Sequence, residues 1–182
     1  HMKRYVDYLT SKAKGRIVSI GLGDWVPVKA ETPVEVTSTG YYYADARIVA
    51  QAARILGRTE DAGKYGALAD EIRRAFIGRY YNRETGTYAN GTQTAQSCAL
   101  VHGLVDGGEE AKVMASLAAN IAERGGHLDA GILGTKYLLR VLTDHGRADV
   151  AYGMASKTTY PSWGHWLDRG ATTLWEDWKG GA

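Results

Sequence analysis

Along this 182-residue chain, six or seven stretches place apolar residues three and four positions apart, and glycine punctuates nearly every junction between them. That spacing matches the period of an amphipathic helix, whose apolar stripe has to be buried against a neighbour. It predicts helices over residues 2–14, 39–56, from 59 to beyond Phe76, 94–105, 109–123, 131–144 and 147–156. Tyr5, Leu9 and Ala13 mark one face of the first, and Thr37-Ser38-Thr39 offers hydroxyls to cap the second. Gly57 closes that second helix, and the next carries a stripe of Tyr65, Leu68, Ala69, Ile72 and Phe76. So short a link makes an antiparallel hairpin. The turn residues between Tyr80 and Tyr88 predict a small β-excursion. The expected fold is therefore a single all-α domain of paired helices. A repeat solenoid is the alternative, but no period of about 34 to 47 residues recurs with fixed signature positions.

The unusual residues gather in the loops. Four of the five tryptophans fall between Tyr160 and Trp178, beside His165, Asp168, Glu176 and Asp177. Indole faces next to carboxylates suit a carbohydrate, because the flat apolar sides of a sugar stack on rings while acids bond hydroxyls or move protons. The same residues also suit a tryptophan-rich corner of the core with solvated acids around it. In Gly170-Ala171-Thr172-Thr173-Leu174-Trp175-Glu176 small residues let the backbone approach and set Glu176 among apolar neighbours, where burial would tune it for proton transfer. Gly23 ahead of Asp24-Trp25 predicts a turn that presents acid and indole together, or else a loop whose tryptophan plugs the surface. Other chemistries lack their signatures. Gly21-Leu22-Gly23 does not continue as a dinucleotide fingerprint, no His-x-x-x-His spacing suggests zinc, and Ser162 has no nucleophile-elbow context. His102 and His145 read as helix-end or surface residues. Cys98 stands alone, which excludes an internal disulfide. A net charge of +2 supplies no basic stripe for nucleic acid, and the apolar runs are too short for a membrane span.

The chain resembles the catalytic domain of bacterial α-L-rhamnosidases of glycoside hydrolase family 78. The resemblance lies in Gly23-Asp24-Trp25, Thr39-Gly40-Tyr41-Tyr42-Tyr43, Leu56-Gly57, and Gly86-Thr87-Tyr88 with Thr92-Gln93-Thr94. It continues through Gly126-His127-Leu128, Gly131 to Leu139, Tyr160-Pro161-Ser162-Trp163-Gly164 and the run from Gly170 to Glu176. The matches keep the family's order and cover nearly the whole chain.

This resemblance implies a six-hairpin α/α toroid, of which residues 1–182 would form a partial barrel from the C-terminal part of the catalytic domain. It implies hydrolysis of terminal α-L-rhamnosides with inversion, Glu176 as general base, and Trp25 as a sugar-stacking wall. Asp24, His127, Trp163 and Trp175 are expected in the same substrate pocket, and no cofactor is implied. The alternatives are another glycosidase of the same fold, or a catalytically inactive helical scaffold that binds carbohydrate. Nothing before residue 20 matches the acidic, tryptophan-containing stretch where the family keeps its general acid, so the chain is expected to be a fragment holding the general-base half of the site. Asp129-Ala130 stands where a hydroxyl pair is usual, and His165 where tyrosine is more common. Half a toroid would expose an apolar flank, which predicts a homo-oligomer through that flank or rearranged terminal helices.

Overall fold

A computed structural model describes residues 1–180. Among them are eight helices, α1 (Met2–Lys12), α2 (Val34–Ile55), α3 (Thr59–Tyr80), α4 (Gln93–His102), α5 (Glu110–Glu123), α6 (Ile132–Asp144), α7 (Ala148–Ala155) and α8 (Trp163–Asp168). One antiparallel pair, β1 (Tyr81–Asn82) and β2 (Thr87–Tyr88), interrupts them, with Tyr81 opposite Tyr88. The expected all-α class and the β-excursion are both present. None of the described helices is long and apolar enough to cross a membrane.

The helices pack as three hairpins, α2/α3, α4/α5 and α6/α7, whose first members lie side by side in the order α2–α4–α6. Helix α4 is central: every residue from Gln93 to Leu100 is buried, because the helix packs against α2, α5 and α6 together. A helix buried on all sides has no stripe, so its periodicity is weak although its helicity is not. The expected stripe of α3 is buried in full. Gly57, at φ +66°, makes the tight turn between α2 and α3 that only glycine takes cheaply. Since successive hairpins run in the same sense, the connectors 13–33, 81–92, 124–131 and 156–162 all emerge at one end.

Three local expectations give way to tertiary contacts. Helix α2 begins at Val34, with Pro33 at the N-cap, so the hydroxyls expected to cap it lie inside it. Ser38 Oγ donates to the Ile20 carbonyl at 2.6 Å, and Thr39 Oγ1 accepts from Val18 N at 3.1 Å, so they fasten the incoming segment instead. Helix α1 buries Val6 and Leu9, whereas Tyr5 is 56% exposed. Its polar side docks on neighbours, with Thr10 and Tyr42 hydroxyls 2.8 Å apart and Tyr65 Oη donating to Asp7 at 3.0 Å. The segment expected to be a loop contains α8, capped by Ser162 Oγ, which accepts from His165 N at 3.0 Å.

His102 is a helix-end residue as expected, but not a surface one. It ends α4, but its ring packs edge-on to Tyr41 and Tyr137 at 5.5 and 5.4 Å, and its Nε2 is sealed from solvent. Gly40 allows this packing, since a Cβ there would sit 2.8 Å from Cys98 Sγ and 2.9 Å from the His102 ring. Burial, aided by the positive charges of Lys136 and Arg47, pulls the His102 pKa from 6.5 down to about 4. Between those two values the unfolded chain binds a proton that the folded chain refuses, so stability falls as pH drops from 6.5 towards 4. At pH 5 the loss is about 2 kcal/mol relative to pH 7.5. His102→Gln should remove that increment, and urea unfolding at the two pH values, compared between wild type and variant, measures it.

Candidate active site

Loop 23–31 carries Asp24 and Trp25 and is pinned at both ends. The Asp24 side chain is buried and its two oxygens are occupied by protein donors: Oδ2 accepts from Gly131 N at 2.7 Å and from Thr94 Oγ1, and Oδ1 accepts from Gly134 N at 2.9 Å. The next carbonyl, of Trp25, accepts from Ile132 N at 2.9 Å. Asp24 and Trp25 thus satisfy three of the free N–H groups that open α6, whose own N-cap residue, Gly131, has no side chain to offer. At the far end Asp129 Oδ1 accepts from Lys29 N at 2.9 Å and Ala30 N at 3.0 Å, and its other oxygen pairs with Arg124 Nη1 at 3.0 Å. Gln93 holds Asp129 in turn, accepting from its backbone N–H at 2.9 Å while donating to the His127 carbonyl at 3.1 Å.

The C-terminal tryptophans divide their work. Trp166 stacks on Trp178 at 4.8 Å and both are 6% exposed, with Trp163 edge-on to Trp178 at 5.8 Å. Trp178 Nε1 donates to the Ala130 carbonyl at 2.8 Å, and Trp166 Nε1 donates to the Trp178 carbonyl at 3.1 Å. These rings are a core plug that ties the C-terminal segment to residue 130. Trp175 is half-buried against the same cluster, 5.9 Å from Trp166, and its other side lines a cavity of about 640 Å³.

Trp25, Leu174, Trp175, Glu176 and Asp177 line that cavity. Trp25 is 46% exposed, and its Nε1 donates to Glu176 Oε1 at 3.1 Å across 151 positions of sequence. Asp177 closes a turn, its Oδ1 accepting from the N–H groups of Lys179 and Gly180. Glu176 is therefore the carboxylate that the cavity presents, with one indole bonded to it and another beside it. It is exposed rather than enclosed by apolar neighbours as its flanking sequence suggested.

The remaining expected site residues lie elsewhere. Asp24 sits beneath the Trp25 loop with its acceptors engaged. His127 lines a separate cavity of about 350 Å³ with Arg124, Asp129 and Tyr160, and its Nε2 lies 2.8 Å from Thr159 Oγ1. Trp163 belongs to the aromatic plug. Sequence analysis named Gln93, Thr94 and Asp129 only within stretches of resemblance or departure and gave them no role, because their partners are too distant along the chain for a local signal to reveal. Among the described residues, no group of three or more His, Cys, Asp or Glu side chains gathers to hold a metal.

The helical hairpins open at one end onto two indoles and a carboxylate, residue types that suit a carbohydrate. Over residues 1–182 the chain matches the family described as the bacterial α-L-rhamnosidase six-hairpin glycosidase domain, and it belongs to that family. It is 40% identical over 158 residues to an α-L-rhamnosidase of Streptomyces avermitilis, a match covering 87% of this chain and 15% of that protein. An α-L-rhamnosidase of Formosa agariphila is 29% identical over 186 residues, covering 98% of this chain and 20% of the relative. The crystal structure of the Streptomyces avermitilis enzyme complexed with L-rhamnose superposes with a TM-score of 0.91 at 38% identity, over 97% of this chain and 17% of that one. The α-L-rhamnosidase from Dictyoglumus thermophilum gives 0.92 at 35% identity, over 98% and 21%. This chain thus spans about a fifth or less of the length of these relatives.

The approach of loop 23–31 to α6 requires glycine at 131, where an added Cβ would collide with the Trp25 carbonyl oxygen and lie 2.6 Å from that of Asp24. Gly131→Ala should therefore destabilise the protein by about 2 to 3 kcal/mol. Gly107→Ala, where a Cβ meets open space, should change stability by no more than about 0.5 kcal/mol. Chemical denaturation of both variants measures the contrast.

Proposed function

We propose that residues 1–182 form part of the catalytic domain of an α-L-rhamnosidase that releases terminal α-L-rhamnose with inversion, Glu176 acting as general base. The observation that carries this reading is the Trp25 indole N–H on Glu176 Oε1 at 3.1 Å, at the edge of a cavity also walled by Trp175. The two indoles suit a 6-deoxy sugar, whose methyl group and apolar ring face stack on aromatic surface. Glu176 takes a proton from a water as its oxygen attacks the anomeric carbon from the face opposite the glycosidic bond. In the same displacement that bond breaks, as a carboxylic acid about 6.5–9.5 Å from the base protonates the leaving oxygen. The indole N–H orients the Glu176 carboxylate without competing for the oxygen that faces the water. The family's general acid is assigned to no residue of this chain. Trp25 and Trp175 are the proposed sugar contacts, while Asp24, His127 and Trp163 shape the frame around them.

A second reading, sugar binding without turnover, is favoured by one feature: of the two carboxylates lining the cavity, Asp177 is committed to a turn. Two measurements on the protein and on Glu176→Gln separate these readings. L-Rhamnose titrated against tryptophan fluorescence should bind both, and Trp25→Ala should lose the binding. Hydrolysis of p-nitrophenyl α-L-rhamnoside, if it accompanies binding, should fall by about 10²- to 10⁴-fold in Glu176→Gln. Binding with no hydrolysis in either protein supports the second reading. Failure of L-rhamnose to perturb any tryptophan overturns both. Equal binding of L-mannose, which carries a hydroxyl at C6, would point to a glycosidase of different sugar preference.

A further inference from the structure

We propose that Asp24 is a positioning residue, which fixes the Trp25 indole against Glu176 by seating its carboxylate on the first turn of α6. The proposal rests on the reading of Trp25 and Glu176 as the site, and it changes the part Asp24 plays there from sugar contact to anchor.

Both walls of the cavity are referenced to one short stretch, residues 130–132. The Ala130 carbonyl accepts from Trp178 Nε1 at 2.8 Å, which places the segment bearing Trp175 and Glu176. The following N–H, of Gly131, donates to Asp24 at 2.7 Å, and the next, of Ile132, donates to the Trp25 carbonyl at 2.9 Å. The separation of the Trp25 wall from the Trp175 wall is therefore set by three consecutive peptide units at the start of α6. Asp24 supplies the strongest of these ties, because it is the charged partner: its carboxylate bonds two backbone N–H groups and a hydroxyl in a buried setting, at the positive end of a helix.

The local backbone passes this constraint to the indole. Asp24 and Trp25 are adjacent, and Val26 turns the chain sharply with φ +57°. The loop is caught again at Lys29 and Ala30 by Asp129. With both ends held and the Trp25 carbonyl fixed, the indole has little freedom beyond its own side-chain torsions. Its N–H then meets Glu176 at 3.1 Å. Removing the Asp24 carboxylate leaves Gly131 and Gly134 N–H groups and the Thr94 hydroxyl without their acceptor, and releases the Trp25 end of the loop.

Tryptophan indole N–H resonances of the ¹⁵N-labelled chain test this without any substrate. The five indole signals are resolved, that of Trp25 is assigned with Trp25→Phe, and its position without an acceptor is set by Glu176→Ala. In Asp24→Ala the Trp25 signal should move to the Glu176→Ala position, while the backbone signals of α1 to α3 stay in place. Asp24→Asn, which keeps one acceptor oxygen, and Thr94→Val, which removes one donor, should give intermediate displacements and keep the protein folded if Asp24→Ala does not. Asp7→Ala, which removes the acceptor of the Tyr65 hydroxyl and so cuts a tertiary contact away from the site, should leave the Trp25 indole unmoved. L-Rhamnose affinity should fall about tenfold in Asp24→Asn. A Trp25 indole that keeps its wild-type position in Asp24→Asn and Thr94→Val overturns the proposal. If Asp24→Asn displaces the indole but L-rhamnose never perturbs it, the positioning role stands and the substrate reading falls.

Discussion

Helix α6 opens on a glycine, and the group that completes its first turn arrives from Asp24, 107 positions earlier in the chain. An uncapped helix terminus buried in protein would leave several N–H groups without acceptors, at a cost of about 1 to 3 kcal/mol each. The Asp24 carboxylate and the Trp25 carbonyl satisfy three of them, those of Gly131, Ile132 and Gly134. Gly131 and Gly134 make the approach possible, since a Cβ at 134 would sit 2.7 Å from the Ala130 methyl group and collide with Thr94. Three hairpins and the loop that carries an indole to the cavity are joined at this point. Thr94 belongs to α4, the glycines to α6, and Asp24 to the segment entering α2, so one carboxylate couples the central layer to the pocket.

Much of the architecture was legible in the sequence because it rests on local periodicity. The stripe of α3, the α2/α3 turn at Gly57 and the Tyr81–Tyr88 excursion each depend on residues close together in the chain. The start of α2 was not legible, because Ser38 and Thr39 have the chemistry of caps and only the fold shows that segment 18–20 takes their hydrogen bonds. Helix α8 escaped notice because six residues are too few to show a period. The site was legible as a set of residue types, but its arrangement was not. Asp24 and Trp25 are neighbours in sequence, yet one side chain points into the protein and the other towards the cavity. His127 shares the mouth of the hairpins but lines a different cavity. Glu176 follows apolar residues, but the chain turns so that it faces solvent, and sequence adjacency does not report burial.

The tryptophans show how one residue type serves two purposes in a short span. Trp166 and Trp178 bury their rings and spend their N–H groups on carbonyls, as buried indoles must. Trp175, packed on the same cluster, gains a rigid backing that leaves its outer surface for the cavity. The core-corner reading is therefore realised in Trp166 and Trp178, while Trp175 lines the cavity. The stacked pair fixes the aromatic wall on one side, and the Asp24 anchor fixes it on the other.

The hairpins place connectors 13–33, 81–92, 124–131 and 156–162 at one end, and their internal links, residues 56–58, 103–109 and 145–147, at the other. Those turns touch neither the Trp25 loop nor the cavity beside Glu176. For protein engineering this means that new chain termini, affinity handles or an inserted partner domain belong at the turns 56–58 and 145–147, where joining chemistry leaves the cavity beside Glu176 untouched. Libraries meant to alter ligand preference belong at the opposite end, in the connectors that hold Trp25 and Trp175, with Asp24, Gly131 and Gly134 kept constant as the hinge-pin of the design.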